Sequence, residues 1–457
     1  MIEHFVPGAW QPIASQFALD NPRCMIVADM GMRKTSIMMM MIDVLKLGGS
    51  NFFPVLVIAP KRVAEIVWTG ERDKWDRFQG LSIVQILGTA KQRETALKRK
   101  PIADIYVINI DNVQWLAEIL GGKWPFKIVI IDESSKLKGF RLSKGTARAG
   151  ALSKIAKFTG RWVNLTGTPI SNGIKDLWGQ MWFVDFGERL GRTYTCFFDR
   201  YLTENPYSRE ITVNLGAEEE IHRLVADRVI AFRGDDWLDL QKPQVTPVEF
   251  ELPPAARALY DRMETEYFMQ LGGVDIEAGT AAIKSGKLLQ IAAGSVYDEG
   301  KIPQHVHDGK LDALEEVAEE CGEPLLVAYW WKYDVERILK RFPDARVFKG
   351  KQDEEDWNAG KLRMMLIHPQ SGGHGTSLQY GGRDIAMYSY YWNAELWQQV
   401  LERNGPARQA ASGFKRVQRV WILKARGTIE QEVLDSNEGK ISVEQALKRA
   451  RARRKNI

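Results

Sequence analysis

The segment "MIVADMGMRKTSIMMMMIDVL", which spans Met25–Leu45, decides the fold of this chain. Its pattern predicts an apolar strand, a turn containing Gly31, and an apolar helix that starts with Lys34, Thr35 and Ser36. In nucleotide-binding proteins a turn of this kind presents backbone N–H groups to phosphate, a Lys reaches the phosphate oxygens, and a hydroxyl binds Mg²⁺. The segment alone is equally compatible with a plain strand–turn–helix unit.

Further runs rich in Val and Ile alternate with helical patterns along the chain. In the first half they are CMIVAD, PVLVIAP, LSIVQILG, DIYVINI, KIVIIDE and RWVNLTG, and in the second half EPLLVAYW, LRMMLIHP, DIAMYSYYW and RVQRVWILKA. Short buried strands that alternate with helices are typical of doubly wound parallel sheets. The sequence therefore predicts an α/β protein with two lobes.

The predicted lobes cover residues 1–242 and 243–457. Residues 172–242 mix aromatic and charged side chains without strand alternation, and we expect a helical insertion there. The segment QKPQVTPVEFELPP carries four prolines and predicts a connector between the lobes. The C-terminal tail is basic, with Lys448, Arg449, Arg451, Arg453, Arg454 and Lys455. This tail can attract phosphate or be a solvated end.

Composition limits the class of protein. The 457 residues are 45% hydrophobic and 26% charged, which is typical of a globular protein with two or three domains. The net charge of +5 permits an anionic partner. Cys24, Cys196 and Cys321 lie far apart, so a disulfide framework or zinc site is not expected and a reducing cytoplasm fits. No signal-peptide pattern or membrane-spanning apolar run is present, which predicts a cytoplasmic location, in the host cell if the protein is viral.

Two polar motifs follow later strands. Asp132 and Glu133 end the run KIVIIDE, where one carboxylate can hold Mg²⁺ and its neighbour can orient the attacking water. The alternative is a helix N-cap followed by a first-turn acid. Thr166 and Thr168 lie in a polar turn after the run RWVNLTG. Because parallel strands bind ligands at their carboxyl ends, these motifs are expected beside the turn at Gly31.

These segments and several others resemble, in their order, the motifs of the Swi/Snf-like helicase/translocases of superfamily two, in the compact form found in bacteriophages. The resemblance covers nearly the whole chain. The segments are PGAWQ, VADMGMRKTS (motif I), VLVIAPKRVAEIVW (Ia), VINIDNVQWL (Ib), IIDESSKLKG (II), LTGTPISNGIKDLW (III), EPLLVAYWWKY (IV), IHPQSGGHGTSLQYGG (V) and YWNAELWQQVLERNGPARQ (VI).

The resemblance implies a fold and an activity. It implies two tandem RecA-like lobes, with helical insertions between and within them, that bind ATP and Mg²⁺ at their interface. The implied function is a DNA-stimulated ATPase that moves along double-stranded DNA in phage DNA replication, recombination or repair. The chain is expected to act as a monomer, with a separate nuclease or replication protein as a partner and no membrane contact.

The resemblance also assigns residues to roles. The catalytic set is Lys34, Asp132, Glu133, Arg403 and Arg408, and the Mg²⁺ ligands are Thr35 and Asp132. The nucleotide-binding set is Gln11, which would contact adenine, with Gly31, Met32, Arg33, Lys34, Thr35, Ser36, Thr166 and Gly375. The DNA-binding set is Lys61, Arg62, Asn109, Thr168 and His374. The alternative for each DNA-binding residue is a solvated surface side chain.

The chain departs from the family pattern at three places. Arg33 replaces the second glycine of motif I, where its side chain can narrow the loop, or point outward, or add a contact to the anion. In motif VI the arginines Arg403 and Arg408 are five residues apart instead of three, and in motif V Ser377 stands where Asn is typical. These departures leave a non-hydrolysing DNA clamp or regulatory switch open as an alternative. An RNA helicase is a second alternative, although motifs Ia, II and III favour duplex DNA.

Overall fold

The computed structural model describes most of the chain, namely residues 2–29, 31–49, 51–142, 147–170, 173–206, 211–238, 240–271, 285–370, 376–443, 445–447 and 449–450. The chain divides into two compact units. The first comprises Met1–Asn205 and Glu210–Leu238, and the second comprises Asp239–Ile457 with Pro206–Arg209. Among the residues described, no helix is both long enough and apolar enough to cross a membrane.

The first unit is built on a seven-stranded sheet. Its strands are β1 (Arg23–Ala28), β2 (Val55–Ala59), β3 (Ile83–Ile86), β4 (Ile105–Asn109), β5 (Ile128–Asp132), β6 (Arg161–Thr166) and β9 (Val229–Phe232). They lie in the order β3-β4-β2-β5-β6-β1-β9, and every neighbouring pair is parallel. A short antiparallel hairpin outside this sheet joins β7 (Leu202–Glu204) to β8 (Ile211–Val213).

Helices cover both faces of this sheet. They are α1 (Trp10–Asp20), α2 (Lys34–Leu47), α3 (Trp68–Lys74), α4 (Ala90–Leu97), α5 (Val113–Leu120), α6 (Ala147–Ala156), α7 (Lys175–Asp185), α8 (Tyr194–Tyr201), α9 (Ala217–Val225) and α10 (Gly234–Trp237). Side chains of β2 alternate between two cores: Leu56 and Ile58 pack in one, and Val55 and Val57 pack in the other. A parallel sheet buried on both faces needs such continuous apolar strands.

The second unit contains a six-stranded sheet. Its strands are β10 (Gln244–Phe250), β13 (Leu325–Ala328), β14 (Arg346–Val347), β15 (Met364–Ile367), β16 (Asp384–Met387) and β17 (Arg419–Ala425), in the order β10-β17-β16-β13-β15-β14 with all pairs parallel. A separate hairpin pairs β11 (Ser295–Tyr297) with β12 (Pro303–His305). The helices are α11 (Pro254–Leu271), α12 (Gly286–Ala293), α13 (Gly309–Cys321), α14 (Lys332–Arg341), α15 (Lys351–Asn358), α16 (Ala394–Leu401), α17 (Pro406–Ala411) and α18 (Glu430–Asn437).

The predicted fold class is confirmed, because each unit carries a doubly wound parallel sheet of the RecA-like kind. The predicted connector is wrong in one part: residues Gln244–Phe250 form β10 and pair in parallel with β17. Proline lacks the backbone N–H that a central strand must donate, but an edge strand has one side free of partners. Pro247 is tolerated because β10 lies at the edge of its sheet.

The predicted helical insertion at residues 172–242 is also only partly correct. Helices α7, α8 and α9 do lie there, but so do the hairpin β7–β8 and strand β9. Strand β9 pairs with β1 and so extends the main sheet of the first unit. Its four residues were missed because their run is too short to show strand alternation.

A buried carboxylate lies in the first turn of α14 in the second unit. Asp334 is completely buried and accepts hydrogen bonds from the Trp331 backbone N–H at 3.1 Å and from the Ser389 hydroxyl. Burial raises the pKa of Asp334 from 3.8 to about 7, although these hydrogen bonds and the positive charges of Lys310 and Arg337 favour the ionised form. Between these two pKa values the folded chain holds more protons than the unfolded chain, so this group makes the free energy of unfolding decrease as pH rises.

The variant Asp334→Asn is expected to remove this pH dependence. Its melting temperature should be close to that of the unmodified chain at pH 5 and a few degrees higher at pH 8, where the buried carboxylate must be ionised. Calorimetry at the two pH values measures the difference. The matched control is Asp312→Asn on the surface of α13, which removes an exposed carboxylate. A difference that is the same at pH 5 and pH 8 would contradict the prediction.

Candidate active site

Three adjacent strands bring three of the predicted motifs to one edge of the first sheet. Strands β5, β6 and β1 are neighbours, and their registers pair Asp132 with Leu165 and Val27 with Thr166. The carboxyl ends of all three strands therefore lie side by side. The turn after β1, the acidic pair after β5 and the threonine at the end of β6 meet there, as the sequence predicted for a phosphate site.

The turn between β1 and α2 has an unusual backbone. Gly31 has a φ of 87° and Arg33, immediately before α2, has a φ of 52° and a ψ of 49°. Both values fall in the left-handed region, which a residue with a Cβ adopts at a cost of about 1 kcal/mol. Arg33, which stands where the family pattern has glycine, thus adopts a backbone conformation that glycine reaches without strain.

Contacts from α1 and from Trp75 hold this turn in place. The indole N–H of Trp10 donates to the carbonyl of Met32 at 3.1 Å, and the amide of Gln11 donates to the carbonyl of Arg33 at 3.5 Å. The guanidinium carbon of Arg33 lies 5.5 Å from the centre of the Trp75 ring, within the range of a cation–π contact. The side chain that replaces glycine therefore packs against Trp75.

Two side chains at the start of α2 are also fixed. The ammonium of Lys34 donates to the carbonyl oxygens of Ala28 at 2.7 Å and of Asp29 at 3.3 Å. The hydroxyl of Ser36 donates to Glu71 at 2.7 Å, and the same carboxylate oxygen accepts the indole N–H of Trp75 at 2.7 Å. Lys34 is therefore held at the turn itself, and α3 supports both the turn and the start of α2.

Neutral donors orient the acidic pair at the end of β5. The indole N–H of Trp68 donates to one carboxylate oxygen of Asp132 at 3.0 Å. One oxygen of Glu133 accepts the hydroxyls of Ser135 at 2.6 Å and of Thr166 at 3.1 Å. Glu133 also has a left-handed backbone, with a φ of 84°. Both acids are buried, so these hydrogen bonds fix the direction of each carboxylate.

The residues at this edge suit a magnesium ion. Mg²⁺ prefers oxygen ligands and is usually held by one or two carboxylates with substrate phosphates and water. Asp132 supplies a carboxylate and Thr35, which is largely buried at the start of α2, supplies a hydroxyl. Within the described ranges no group of three or more His, Cys, Asp or Glu side chains could hold a metal by itself. The carboxylate of Asp132 and the hydroxyl of Thr35 are oxygen ligands of the kind that Mg²⁺ prefers.

The predicted DNA-binding residues of the first unit lie at the same edge of the sheet. Lys61 is exposed and follows β2 together with Arg62, and the five residues after them form a π-helix, Val63–Val67. Short π-helices are rare and often occur at functional sites. Asn109 is buried instead of exposed, because its side-chain oxygen accepts the backbone N–H of Asp111 at 3.3 Å and caps a 3₁₀ turn.

The other residues predicted to bind DNA or nucleotide fall into two groups, one described by the structure and one outside the described residues. The backbone N–H of Thr168 donates to the hydroxyl of Thr166 at 3.1 Å, which ties the polar turn to the acidic pair. His374 and Gly375 lie outside the described residues, as do Lys448 and the tail from Arg451 onward.

In the second unit the two predicted arginines contact the segment of motif V. Arg403 is buried and donates to the carbonyl of Thr376 at 3.4 Å, and Arg408 donates to the hydroxyl of Ser377 at 2.9 Å. Burial lowers the pKa of Arg408, while the nearby Glu402 and Glu354 oppose that effect. Ser377, which replaces the typical Asn, therefore keeps a polar link to motif VI.

Sequence reasoning missed three residues of this site. Trp68, Glu71 and Trp75 contact Asp132, Ser36 and Arg33 respectively. The spacing i, i+3 of Trp68 and Glu71 was an available signal, because it places side chains on one face of α3, and Trp75 follows the last residue of this helix. Together the three side chains contact the turn, the start of α2 and the acidic pair.

Comparison with known proteins gives the family context. A family model described as SNF2-related domain matches residues 15–207. Protein p41 of Acyrthosiphon pisum secondary endosymbiont phage 1 is 42% identical over 98% of this chain and 99% of its own length. "Probable ATP-dependent DNA helicase CHR12" of Arabidopsis thaliana is 24% identical over 86% of this chain, which spans only 37% of that protein. The SWI2/SNF2 ATPase core of Sulfolobus solfataricus, solved in complex with dsDNA, has 19% identity and a TM-score of 0.44, with 94% of this chain and 90% of that chain covered.

The left-handed backbone of Arg33 predicts an inverted order of stability for two substitutions. Arg33→Gly should be more stable than Arg33→Ala by about 1 kcal/mol, since both lose the Trp75 contact but only glycine is free of strain at this φ. Urea unfolding midpoints measure the order. The control pair is Lys154→Gly and Lys154→Ala in α6, where alanine should be the more stable. Equal stability of the two Arg33 variants would refute the strained turn.

Proposed function

The chain belongs to the Swi/Snf-like helicase/translocases of superfamily two, in the compact form found in bacteriophages, and we propose that it is a DNA-stimulated ATPase that moves along double-stranded DNA. The observation that carries the proposal is the meeting of the phosphate turn, Asp132 with Glu133, and Thr166 at the carboxyl ends of three adjacent strands. Nucleotide hydrolysis needs groups that bind the phosphates, hold the metal and orient the attacking water, and a phosphate-binding turn beside two oriented carboxylates can supply them.

Each residue at this edge has a proposed task. Lys34, now bound to the carbonyl oxygens of its own turn, would transfer its hydrogen bonds to the nucleotide phosphates. Thr35 and Asp132 would hold Mg²⁺, which when bound neutralises charge on the phosphates. Glu133, whose carboxylate is oriented by the hydroxyls of Ser135 and Thr166, would orient the attacking water. Gln11 would contact adenine, as the resemblance implies.

We propose that Arg403 and Arg408 also take part in hydrolysis. An arginine that reaches the transferring phosphoryl group stabilises its charge and is worth orders of magnitude in rate. Both guanidinium groups contact the residues of motif V, which supports a shared role for motifs V and VI.

The proposed nucleic-acid partner is duplex DNA. Lys61 and Arg62 follow a strand at the same edge as the phosphate turn, and Lys61 is exposed. Contacts to phosphate carry no sequence information, so movement along DNA does not require base recognition. The name of the plant relative, a DNA helicase, supports this partner. We further propose a role in phage DNA replication, recombination or repair in the host cytoplasm, as a monomer with a separate nuclease or replication protein. The similarity to the phage protein supports the phage context of this proposal.

The first test is ATP turnover with and without nucleic acid. Phosphate release should rise at least about 10-fold with linear duplex DNA and fall steeply with salt. Lys34→Ala and Glu133→Gln should each lower the stimulated rate about 100-fold or more, because the phosphate contact or the oriented water is lost. Lys154→Ala, on the surface of α6, is the matched control and should retain full activity.

The same assay separates the alternatives. Nucleotide binding without any stimulated turnover would favour the DNA clamp. Greater stimulation by RNA than by duplex DNA would favour the RNA helicase. The variants then distinguish a true active site from a contaminating ATPase, since contaminant activity would survive both substitutions.

A second prediction concerns Trp68, which positions Asp132 without touching substrate. Trp68→Phe should raise the Mg²⁺ concentration for half-maximal turnover about 10-fold or more, because loss of the indole N–H lets the carboxylate rotate. Titration of ATPase activity with Mg²⁺ measures this shift. The control is Trp178→Phe, which removes a buried indole hydrogen bond to Gly191 away from Asp132. If both variants change the Mg²⁺ requirement equally, the effect is one of stability alone.

A further inference from the structure

A fully buried amide in α7 joins two segments of the candidate active site. Gln180 has no solvent exposure, and most of the other buried side chains of α7 are apolar. Its side-chain oxygen accepts the hydroxyl of Ser134 at 2.8 Å, and its side-chain nitrogen donates to the carbonyl of Pro169 at 2.6 Å. Ser134 immediately follows Glu133, and Pro169 lies in the polar turn at the end of β6, residues 166–170. One side chain therefore bridges two segments that are distant in the sequence.

The amide of Gln180 is held in one orientation. Its second N–H group donates to the carbonyl of Asp176, one turn earlier in α7, at 3.1 Å. The backbone carbonyl of Gln180 accepts the side-chain amide of Asn164 in β6 at 2.8 Å, and Asn164 accepts the indole N–H of Trp162 at 2.9 Å. Ser134 and Asn164 are completely buried as well. A buried polar network of this kind specifies one arrangement of its members.

The residue before Gln180 brings α7 against the same part of the chain. A Cβ atom at Gly179 would lie 2.5 Å from the carbonyl oxygen of Leu137 and 3.0 Å from that of Lys138. Because these are backbone atoms, glycine is the residue that permits such a close approach. Leu137 ends the 3₁₀ turn Ser134–Leu137, which begins directly after Glu133. Two consecutive residues of α7 thus contact this turn, one through its side chain and one through its backbone.

The bridge between Ser134 and Pro169 bears on the orientation of the Glu133 carboxylate. The hydroxyls of Ser135 and Thr166, which donate to that carboxylate, belong to the two bridged segments. Buried polar partners can often be replaced by apolar groups of the same shape at little cost in stability. An apolar side chain in place of the amide would nevertheless leave the two segments without a hydrogen-bonded link. The amide therefore supplies a fixed geometry that packing alone does not.

We propose that Gln180 is a positioning residue, which fixes the hydroxyls of Ser135 and Thr166 relative to each other and so keeps the Glu133 carboxylate directed at the attacking water. The proposal rests on the proposed function, since that function assigns the water to Glu133. Gln180 acts through Ser134 and the polar turn. Orientation of the water affects the chemical step and not the binding of nucleotide, so loss of the bridge should lower kcat and leave KM for ATP unchanged.

The test is Gln180→Met, which removes both hydrogen bonds of the bridge and keeps a side chain of similar length. Its kcat for phosphate release should fall about 10-fold or more, while KM for ATP should change by less than about 2-fold. The matched control is Trp162→Phe, which removes a buried hydrogen bond from the same network without touching Ser134 or Pro169. The control should lose stability in urea unfolding and keep its kcat. An unchanged kcat in Gln180→Met, or an equal loss of kcat in the control, would overturn the proposal.

A second measurement identifies the group through which Gln180 acts. Single-turnover hydrolysis would be compared for Glu133→Gln and for the double variant Glu133→Gln with Gln180→Met. Because the carboxylate is already absent, the second substitution should slow the reaction by less than about 2-fold. A further loss as large as that in the unmodified background would show that Gln180 acts elsewhere and would overturn the proposal.

The two proposals fail in different ways. If the unmodified chain hydrolyses no ATP with or without duplex DNA, the proposed function fails and the role of Gln180 falls with it. If the unmodified chain is active, Lys34→Ala is inactive and Gln180→Met is fully active, the proposed function stands and only the positioning role is refuted.

Discussion

The turn between β1 and α2 contains Arg33, whose own backbone lies in the left-handed region. The geometry of the candidate active site depends on this turn. A strained residue persists only where its surroundings determine its conformation. Here the carbonyls of Met32 and Arg33 accept hydrogen bonds from α1, and the guanidinium packs against Trp75. The turn therefore holds a left-handed conformation that glycine adopts without strain, and the arginine side chain packs against Trp75.

A second left-handed residue stands at the neighbouring motif. Glu133 adopts a φ of 84° immediately after β5, and this turns its carboxylate toward the hydroxyls of Ser135 and Thr166. Two strained backbones after β1 and β5, the two strands that flank β6, indicate that the edge is shaped for a ligand, because strain of this kind concentrates at functional sites. Neither Arg33 nor Glu133 is a glycine, so each adopts its left-handed backbone with a strain that glycine would not have.

The sequence correctly predicted those elements that a local pattern of residues specifies. Apolar runs ending in polar residues located β1, β5 and β6, and with them Lys34, Asp132 and Glu133. Strand β10 was missed because the proline within it and those that flank it are typical of a connector, and only the pairing with β17 shows that Pro247 lies in an edge strand. Trp68 and Glu71 were missed because their contacts join segments distant in the chain. Asn109 is a motif position whose burial and capping contact the sequence did not indicate, and its predicted DNA contact stays a prediction.

Helix α3 explains how nucleic acid and nucleotide could affect each other within the first unit. Lys61 and Arg62 lead directly into the π-helix Val63–Val67, which continues into α3 without a break. From α3, Trp68 holds Asp132 and Glu71 holds Ser36. If phosphate binds at Lys61 and Arg62 as proposed, a shift of the π-helix must move α3 with it, because the two form one continuous helical segment. That movement would change the angle of the Asp132 carboxylate, and DNA stimulation of hydrolysis would then follow from the rigidity of a single helix.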